Sequence, residues 1–335
     1  MRALHRRAGF LGVFLSAGFG LAAAFAQPAA QPSIVSVTIT VTALGAGYLP
    51  AIITQSHLRF SSTRDRLDLT GWARPQGADD TLQLAILIDN NIKASLQGQP
   101  MQDLANFIKS QPPTASIGIY FAEKGQATQA TDFSTDHQAV ANALTGITTS
   151  GSESLRVYPS LSQLAAHWPS PPAAHRQILM IGSGYDALIG GMLDPNVNAG
   201  NSTYTGNNYD SNISGERDPY LNSMIESVET AGIEVHSIYV PDPRFAQMLQ
   251  ANIMRDKLIE VSTEAGGLAF YNGDSADSFA GYLRELTNAL HSQYLLTFTT
   301  EPSHKKKGEL RDIAVATDLP GVTLYAPRQV FVPGS

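Results

Sequence analysis

LQLAILIDN (82–90) and RQILMIGSGYD (176–186) are the two stretches that decide the fold class. Both are apolar at consecutive positions, which predicts strands that are buried on both faces. Such strands lie in the middle of a parallel sheet covered by helices on two sides. The loops at the carboxyl ends of these strands form the ligand-binding edge of the sheet. The pattern therefore predicts an α/β fold whose functional edge carries Asp89 and Ser183.

The two ends of the chain follow a different pattern. IVSVTITV (34–41) alternates apolar and polar residues, as expected for a half-buried antiparallel strand, and YLLTFTTE, ELRDIAVAT, VTLYAP and QVFVP follow after residue 293. Isolated strands need partners to bury their apolar faces. We therefore predict one flanking β-domain built from both ends of the chain, formed by residues 27–75 and 293–335. The α/β domain, residues 76–292, is inserted between them.

Residues 1–26 have the pattern of a signal peptide. MRALHRR is basic, the following segment is apolar, and Ala24-Phe25-Ala26 has the small-x-small form of a cleavage site. We expect cleavage after Ala26 and a periplasmic or secreted protein; the alternative is a retained membrane anchor. The chain contains no cysteine, so disulfides and thiolate metal sites are excluded.

Composition narrows the possible partners. A net charge of −7 and a pI near 5.6 argue against nucleic acid or an anionic membrane as the main partner. The 43% hydrophobic and 15% charged content is that of an ordinary globular protein. We expect an unknown protein partner, and no membrane insertion after signal cleavage.

The order of these segments resembles a bacterial, acidobacterial-type family of secreted von Willebrand factor A-domain proteins. The matching stretches are VTITVTAL, RLDLTGW, LAILIDN, QDLANFIKSQPP, DPYLNSMIESVETAGIEVHSIYVP, EVSTEAGG and LTNALHSQYLLTFTTEP, which together span nearly the whole chain after residue 26. The resemblance implies a Rossmann-like A-type domain with a mostly parallel central sheet, helices on both faces and flanking β-structure.

A-type domains commonly hold Mg²⁺ at the carboxyl edge through an Asp-x-Ser-x-Ser turn, a threonine from a later loop and a second aspartate. Here the resemblance places Asp89 correctly, but Asn91 and Lys93 occupy the two serine positions and Ser183 lies where the second acid is expected. The remaining candidate binding residues are Ser95, a candidate for a displaced hydroxyl, Thr148 and Thr149, candidates for the loop hydroxyl, and Asp186.

Lys93 decides between two interpretations of this edge. An ammonium group beside Asp89 would repel a divalent cation and neutralise the carboxylate, although Lys93 would have no such effect if it pointed to solvent. We expect a degenerate metal site without a cofactor, in which Lys93 or a hydrogen bond from Asn91 satisfies Asp89. The alternative is Mg²⁺ retained at Asp89.

Other motifs are incomplete. Gly182–Ala187 fits G-x-G-x-x-A, but the residues that follow have no helical period to meet a pyrophosphate. The Asp194 region has calcium-loop spacing without the required glycine and glutamate. The histidines form no metal-binding pair and no Ser/His/Asp set is assignable.

These observations favour a non-enzymatic adhesion or scaffold-type protein that binds a partner through the carboxyl-edge loops. One of those loops, from about 186 to 218, is unusually long for a compact domain and rich in Asn, Tyr, Ser and Gly. The alternative is a periplasmic small-ligand binder or hydrolase that uses the same crevice.

Overall fold

The computed structural model describes residues 34–63, 65–76, 80–144, 157–169, 175–184, 219–241, 249–271 and 277–334. The predicted signal peptide, the whole of the predicted loop at 186–218, and the candidate residues Thr148, Thr149 and Asp186 lie outside these ranges.

Fourteen strands and six α-helices are found in the described ranges. The strands are β1 (Val35–Leu44), β2 (Leu58–Ser61), β3 (Asp68–Ala73), β4 (Leu82–Asp89), β5 (Ser116–Glu123), β6 (Gln126–Ser134), β7 (His175–Gly182), β8 (Glu234–Tyr239), β9 (Ala269–Phe270), β10 (Gln293–Thr300), β11 (Glu309–Asp312), β12 (Ala314–Thr317), β13 (Thr323–Tyr325) and β14 (Gln329–Val332). The helices are α1 (Gln99–Ser110), α2 (His137–Ala143), α3 (Val157–Ala166), α4 (Pro219–Ala231), α5 (Leu249–Glu264) and α6 (Ala280–Leu290).

The central sheet has six strands in the order β6-β5-β4-β7-β8-β9. All neighbours in it are parallel except β5 and β6, which form an antiparallel hairpin. Lys124 and Gly125 both have positive φ, at 51° and 80°, as a two-residue turn of the I′ type requires. The turn therefore closes directly on the pair Glu123 and Gln126, the last pair of the hairpin.

Both faces of this sheet are covered by helices. Every residue of β4 is buried, and alternate residues pack into two different clusters. Leu84, Ile86 and Ile88 pack with residues of α1, α2 and α6 on one face. Ala85 and Leu87 pack with α3, α4 and α5 on the other. The predicted α/β fold, with a mostly parallel sheet between two helical layers, is confirmed.

The flanking β-structure draws on both ends of the described chain, as predicted. β1 pairs with β10 along Val35–Thr42, in a four-stranded sheet of order β13-β1-β10-β3, and two-stranded sheets join β11 to β14 and β2 to β12. Ile39 and Val41 of β1 pack in one cluster with Leu296, Phe298 and Val330. The boundaries of a separate flanking domain remain a prediction.

A buried polar contact joins the flanking sheet to the central sheet. Glu234, the first residue of β8, accepts hydrogen bonds from Thr42 Oγ1 (3.3 Å) and from Gln293 Nε2 (2.9 Å). All three residues are at most 5% exposed. The amino end of β8 is therefore anchored to β1 and β10, at the opposite end of the sheet from Asp89.

Candidate functional site at the carboxyl edge of the central sheet

The carboxyl ends of β4 and β7 bring Asp89 and Ser183 together. The two strands are parallel neighbours, with Ile88 opposite Ile181, so Asp89 ends one strand beside the loop that follows the other. Ser183 Oγ donates to Asp89 Oδ2 at 3.1 Å, and the Ser183 N–H approaches the same oxygen at 3.4 Å. Both side chains are almost completely buried. The contact joins residues 94 positions apart in the chain.

Asn91 satisfies the other oxygen of Asp89. Its backbone N–H donates to Asp89 Oδ1 at 2.9 Å, and its Nδ2 donates to the same oxygen at 3.0 Å. The loop turns back in this way because β4 continues directly into a 3₁₀ helix, Asn90–Leu96, which is anchored by the buried Ile92 and Leu96. An aspartate that accepts from the N–H two residues later is a common way to start a turn.

Burial and hydrogen bonding act on Asp89 in opposite directions. Burial is the larger effect and raises the pKa of its carboxyl above the ordinary value, whereas the hydrogen bonds from Asn91 and Ser183 lower it in part. A buried carboxylate is costly unless its oxygens are paired, so these donors stabilise the charged form. Through these hydrogen bonds, Asp89 links the loop after β4 to the loop after β7.

The two glycines beside Ser183 have packing reasons to be glycine. A Cβ on Gly182 would lie 3.3 Å from Asp89 Cβ, which is a tight contact. Gly184 has φ +66°, and a Cβ there would lie 2.5 Å from the carbonyl oxygen of Met254 in α5. Only glycine allows the backbone this close to α5. In the described part of the chain the Gly-Ser-Gly sequence thus serves close packing.

The structure brings three of the eight predicted site residues together: Asp89, Asn91 and Ser183. Lys93 and Ser95 lie in the 3₁₀ helix that follows Asp89. The sequence analysis missed Asn90, whose buried side chain donates from Nδ2 to Glu123 Oε1 at 3.3 Å and so ties this turn to β5. The Asn-Asn pair directly after a buried strand was the available signal for it.

Among the residues that the structure describes around Asp89, few ligands for a Mg²⁺ shell are available. Mg²⁺ requires near-ideal octahedral oxygen geometry and is usually bound through carboxylates. Asp89 is the one carboxylate in this described cluster, and both of its oxygens already accept from N–H or O–H donors. Within the ranges that the structure describes, no three His, Asp or Glu side chains are grouped to hold a metal.

Two pockets lie at the other end of the central sheet. One, of about 190 Å³, is lined by Leu82 and His175 at the starts of β4 and β7, together with Arg74. The second, of about 310 Å³, is lined by Arg176 and Glu234, also near strand starts, and by parts of the flanking β-structure.

Comparison with known proteins finds only distant structural likenesses. No protein-family model matches the chain, and no curated protein matches its sequence. Among solved structures, an aerotolerance-related membrane protein from Bacteroides fragilis matches 63% of this chain and 98% of its own, at 14% identity and a TM-score of 0.42. The SpRpn10 VWA domain matches 61% of this chain and 94% of its own, at 10% identity and a TM-score of 0.36.

The pilus adhesin SpaC from Lactobacillus rhamnosus GG matches 82% of this chain and 47% of its own, at 11% identity and a TM-score of 0.39. Likenesses this distant carry no argument about function. Among the helices that the structure describes, none has the length and apolar character needed to cross a membrane.

Proposed function

We propose that this chain is an exported, non-enzymatic protein-interaction protein of adhesion or scaffold type. Its partner binds at the carboxyl edge of the central sheet, through the loops that follow Asp89 and Ser183 and the loop that contains Thr148 and Thr149. The metal site at this edge is degenerate, and binding does not require Mg²⁺.

The hydrogen-bonded state of Asp89 is the observation that carries the proposal. A carboxylate that completes a metal shell must turn lone pairs towards the ion, whereas Asp89 accepts from Asn91 on one oxygen and from Ser183 on the other. These donors hold the loops after β4 and β7 in place. A metal would have to displace these donors before it could bind.

Lys93 gives the proposed surface its expected chemistry. It lies four residues after Asp89 in the 3₁₀ helix, where an A-type metal site would carry a neutral hydroxyl. In metal-dependent A domains a partner carboxylate completes the shell of the ion. A lysine at that position supplies a positive charge of its own, which attracts an acidic partner residue without a metal.

Affinity capture from periplasm or culture medium, with the chain from Gln27 as bait, tests this proposal. We expect the same captured partner in EDTA and in millimolar Mg²⁺. Lys93→Glu should reduce the captured amount several-fold, because it reverses a charge at the proposed surface. Lys109→Glu, which changes an exposed lysine in the last turn of α1, is the matched control and should capture normally. Capture that needs Mg²⁺, or that ignores Lys93→Glu, would contradict the proposal.

A further inference from the structure

Among the described residues, one edge of β1 is open over half of its length. β1 pairs with β10 from Val35 to Thr42, but on its other side it pairs with β13 only from Thr42 to Leu44. In the described part of the chain, no strand covers residues 36–40 on that side. A row of unpaired backbone groups of this kind is a template for adding another strand.

The direction of the backbone groups follows from the alternation of an antiparallel pair. The Ala43 N–H donates to the Ser292 carbonyl on the β10 side, and the register from Val35 to Thr42 has no shift. The odd-numbered residues of β1 therefore bond to β10. Ser36, Thr38 and Thr40 direct their N–H and C=O groups to the open side.

The open edge forms one wall of a groove. The chain continues from β13 into β14, but β14 pairs with β11 and so diverges from β1. The groove left between them has a volume of about 310 Å³, with residues 37–40 on one side and residues 329–331 on the other. At a rise of ~3.3 Å per residue, residues 37–40 offer about 10 Å of edge, enough for three or four residues of an extended chain.

Arg176 provides a charge at this groove. It is the second residue of β7, is half-buried, and donates from Nη2 to the Ala231 carbonyl. Arg176 forms no ion pair with any residue that the structure describes. The two acids at the groove accept hydrogen bonds from other residues. Glu229 accepts from the Gln329 N–H, and Glu234 accepts from Thr42 and Gln293. A half-buried guanidinium without a carboxylate is well suited to bind one.

We propose that this groove binds a short extended segment of a partner protein, which adds as a strand to the open edge of β1 and places a carboxylate side chain against Arg176. Strand addition of this kind draws affinity from main-chain hydrogen bonds and specificity from the side-chain pockets. The site is separate from the carboxyl edge and does not depend on the function proposed there.

An acidic side chain distinguishes the proposed partner segment from two segments of this chain that could also fill the groove. The segment at 27–33, QPAAQPS, has no acidic residue and two prolines, which cannot donate a backbone hydrogen bond. A second copy pairing through its own β1 would present VSVTITVTAL, which also has no acid. Neither would neutralise Arg176.

Fluorescence anisotropy with a labelled hexapeptide, Gly-Ser-Val-Glu-Val-Thr, tests the proposal. We expect the chain from Gln27 to bind this probe about tenfold more tightly than the same peptide with Gln in place of Glu, since a charge-assisted hydrogen bond is lost. Arg176→Gln should abolish that difference. Equal binding of the two peptides, or no binding at millimolar concentration, would overturn the proposal.

The backbone part of the interaction needs its own variants. Thr38→Pro removes one outward N–H while leaving the pairing with β10 in place, so it should weaken both peptides several-fold. Thr38→Val keeps that N–H and should bind normally. If Thr38→Pro does not fold, the wild-type protein is tested with a probe whose three central amides are N-methylated. This probe has lost backbone N–H donors and should bind several-fold more weakly than the unmethylated peptide. Unchanged binding in either experiment would refute strand addition.

Hydrogen exchange in the free protein distinguishes the other occupants. The amides of Ser36, Thr38 and Thr40 should exchange much faster than those of Val37, Ile39 and Val41, and the probe should slow them. Protection in the free protein at every concentration would mean that the chain itself covers the edge, and protection that rises with concentration would mean that a second copy does. Either result would overturn the proposal.

Discussion

Replacing Glu234 by glutamine should make the protein more stable at alkaline pH. Glu234 lies buried between the flanking sheet and the central sheet. Burial, only partly offset by the hydrogen bond from Thr42, raises the pKa of its carboxyl from 4.5 to about 8. Glutamine has nearly the same shape and offers the same oxygen to Gln293, while its amide group can donate to Thr42. The substitution therefore removes the ionisation and keeps the contact.

The size of the effect follows from linkage between protonation and folding. Below pH 4.5 the carboxyl is protonated in both the folded and the unfolded chain, so it costs nothing. As the pH rises from 4.5 to about 8 the unfolded chain ionises and the folded chain does not, so the free energy of unfolding falls. At ~1.4 kcal/mol per pH unit, the loss above pH 8 reaches about 5 kcal/mol as an upper figure. Glu234→Gln should escape this loss.

Urea unfolding between pH 4 and pH 9 measures the prediction. The stability difference between Glu234→Gln and wild type should grow in favour of the variant between about pH 4.5 and about pH 8, and level off above that. His236, whose pKa burial lowers from 6.5 to about 3, also affects the profile, but it acts equally in both proteins and cancels in the difference. Glu301→Gln, at an exposed position, should leave the profile unchanged. A stability difference that stays constant from pH 5 to pH 9 would show that Glu234 is not held protonated by burial.

Three further predictions concern the carboxyl edge, a helix cap and the chain end. Millimolar Mg²⁺ or Mn²⁺ should not raise the melting temperature of the wild type, since a ligand stabilises only what it binds. In the double variant Asn91→Ser with Lys93→Ser, the same ions should begin to raise it. A metal-dependent rise in the wild type that Asp89→Ala abolishes would contradict this prediction. Asp103→Ala should lower the free energy of unfolding, measured in urea, by about 1–3 kcal/mol. The reason is that Asp103 Oδ2 caps the start of α6, where it accepts from Ser278 Oγ (2.6 Å) and from the N–H groups of Phe279 (2.9 Å) and Ala280 (3.1 Å). An unchanged unfolding midpoint would show that the cap is dispensable. Deleting residues 328–335 should speed hydrogen exchange at 35–41, because Val330 packs in the same cluster as Ile39 and Val41; unchanged exchange there would separate the two ends of the chain.

Much of the fold could be predicted because burial leaves a local pattern. A strand buried on both faces must be apolar at every position, so β4 and β7 are recognisable from their own residues. A strand buried on one face must alternate, as β1 does between residues 35 and 41. The hairpin between β5 and β6 is equally local, since its turn needs positive φ at two adjacent positions and one of them is Gly125.

The candidate site was only partly predictable. Asn91 lies two residues from Asp89, so a hydrogen bond between them is a local possibility that the sequence suggests. Ser183 lies 94 residues away, and its approach to Asp89 depends on β4 and β7 being neighbours, which strand patterns make plausible but do not specify. Asn90 donates to Glu123 for the same non-local reason, and it was missed.

The sequence by itself determined that 82–90 and 176–186 contain buried strands and that both ends of the chain form half-buried ones. It also determined that the first buried strand ends in an aspartate followed by Asn91 and Lys93 in place of hydroxyls. Only the tertiary structure decided that Glu234 is buried against Thr42 and Gln293, and that β13 and β14 leave one edge of β1 open beside Arg176. The physical reason is that a buried face imposes a periodicity on neighbouring residues, and this periodicity can be seen within a single segment of sequence. The partner of a polar group, or the absence of a strand along an edge, depends on the packing of segments far apart in the chain, and no single segment records it.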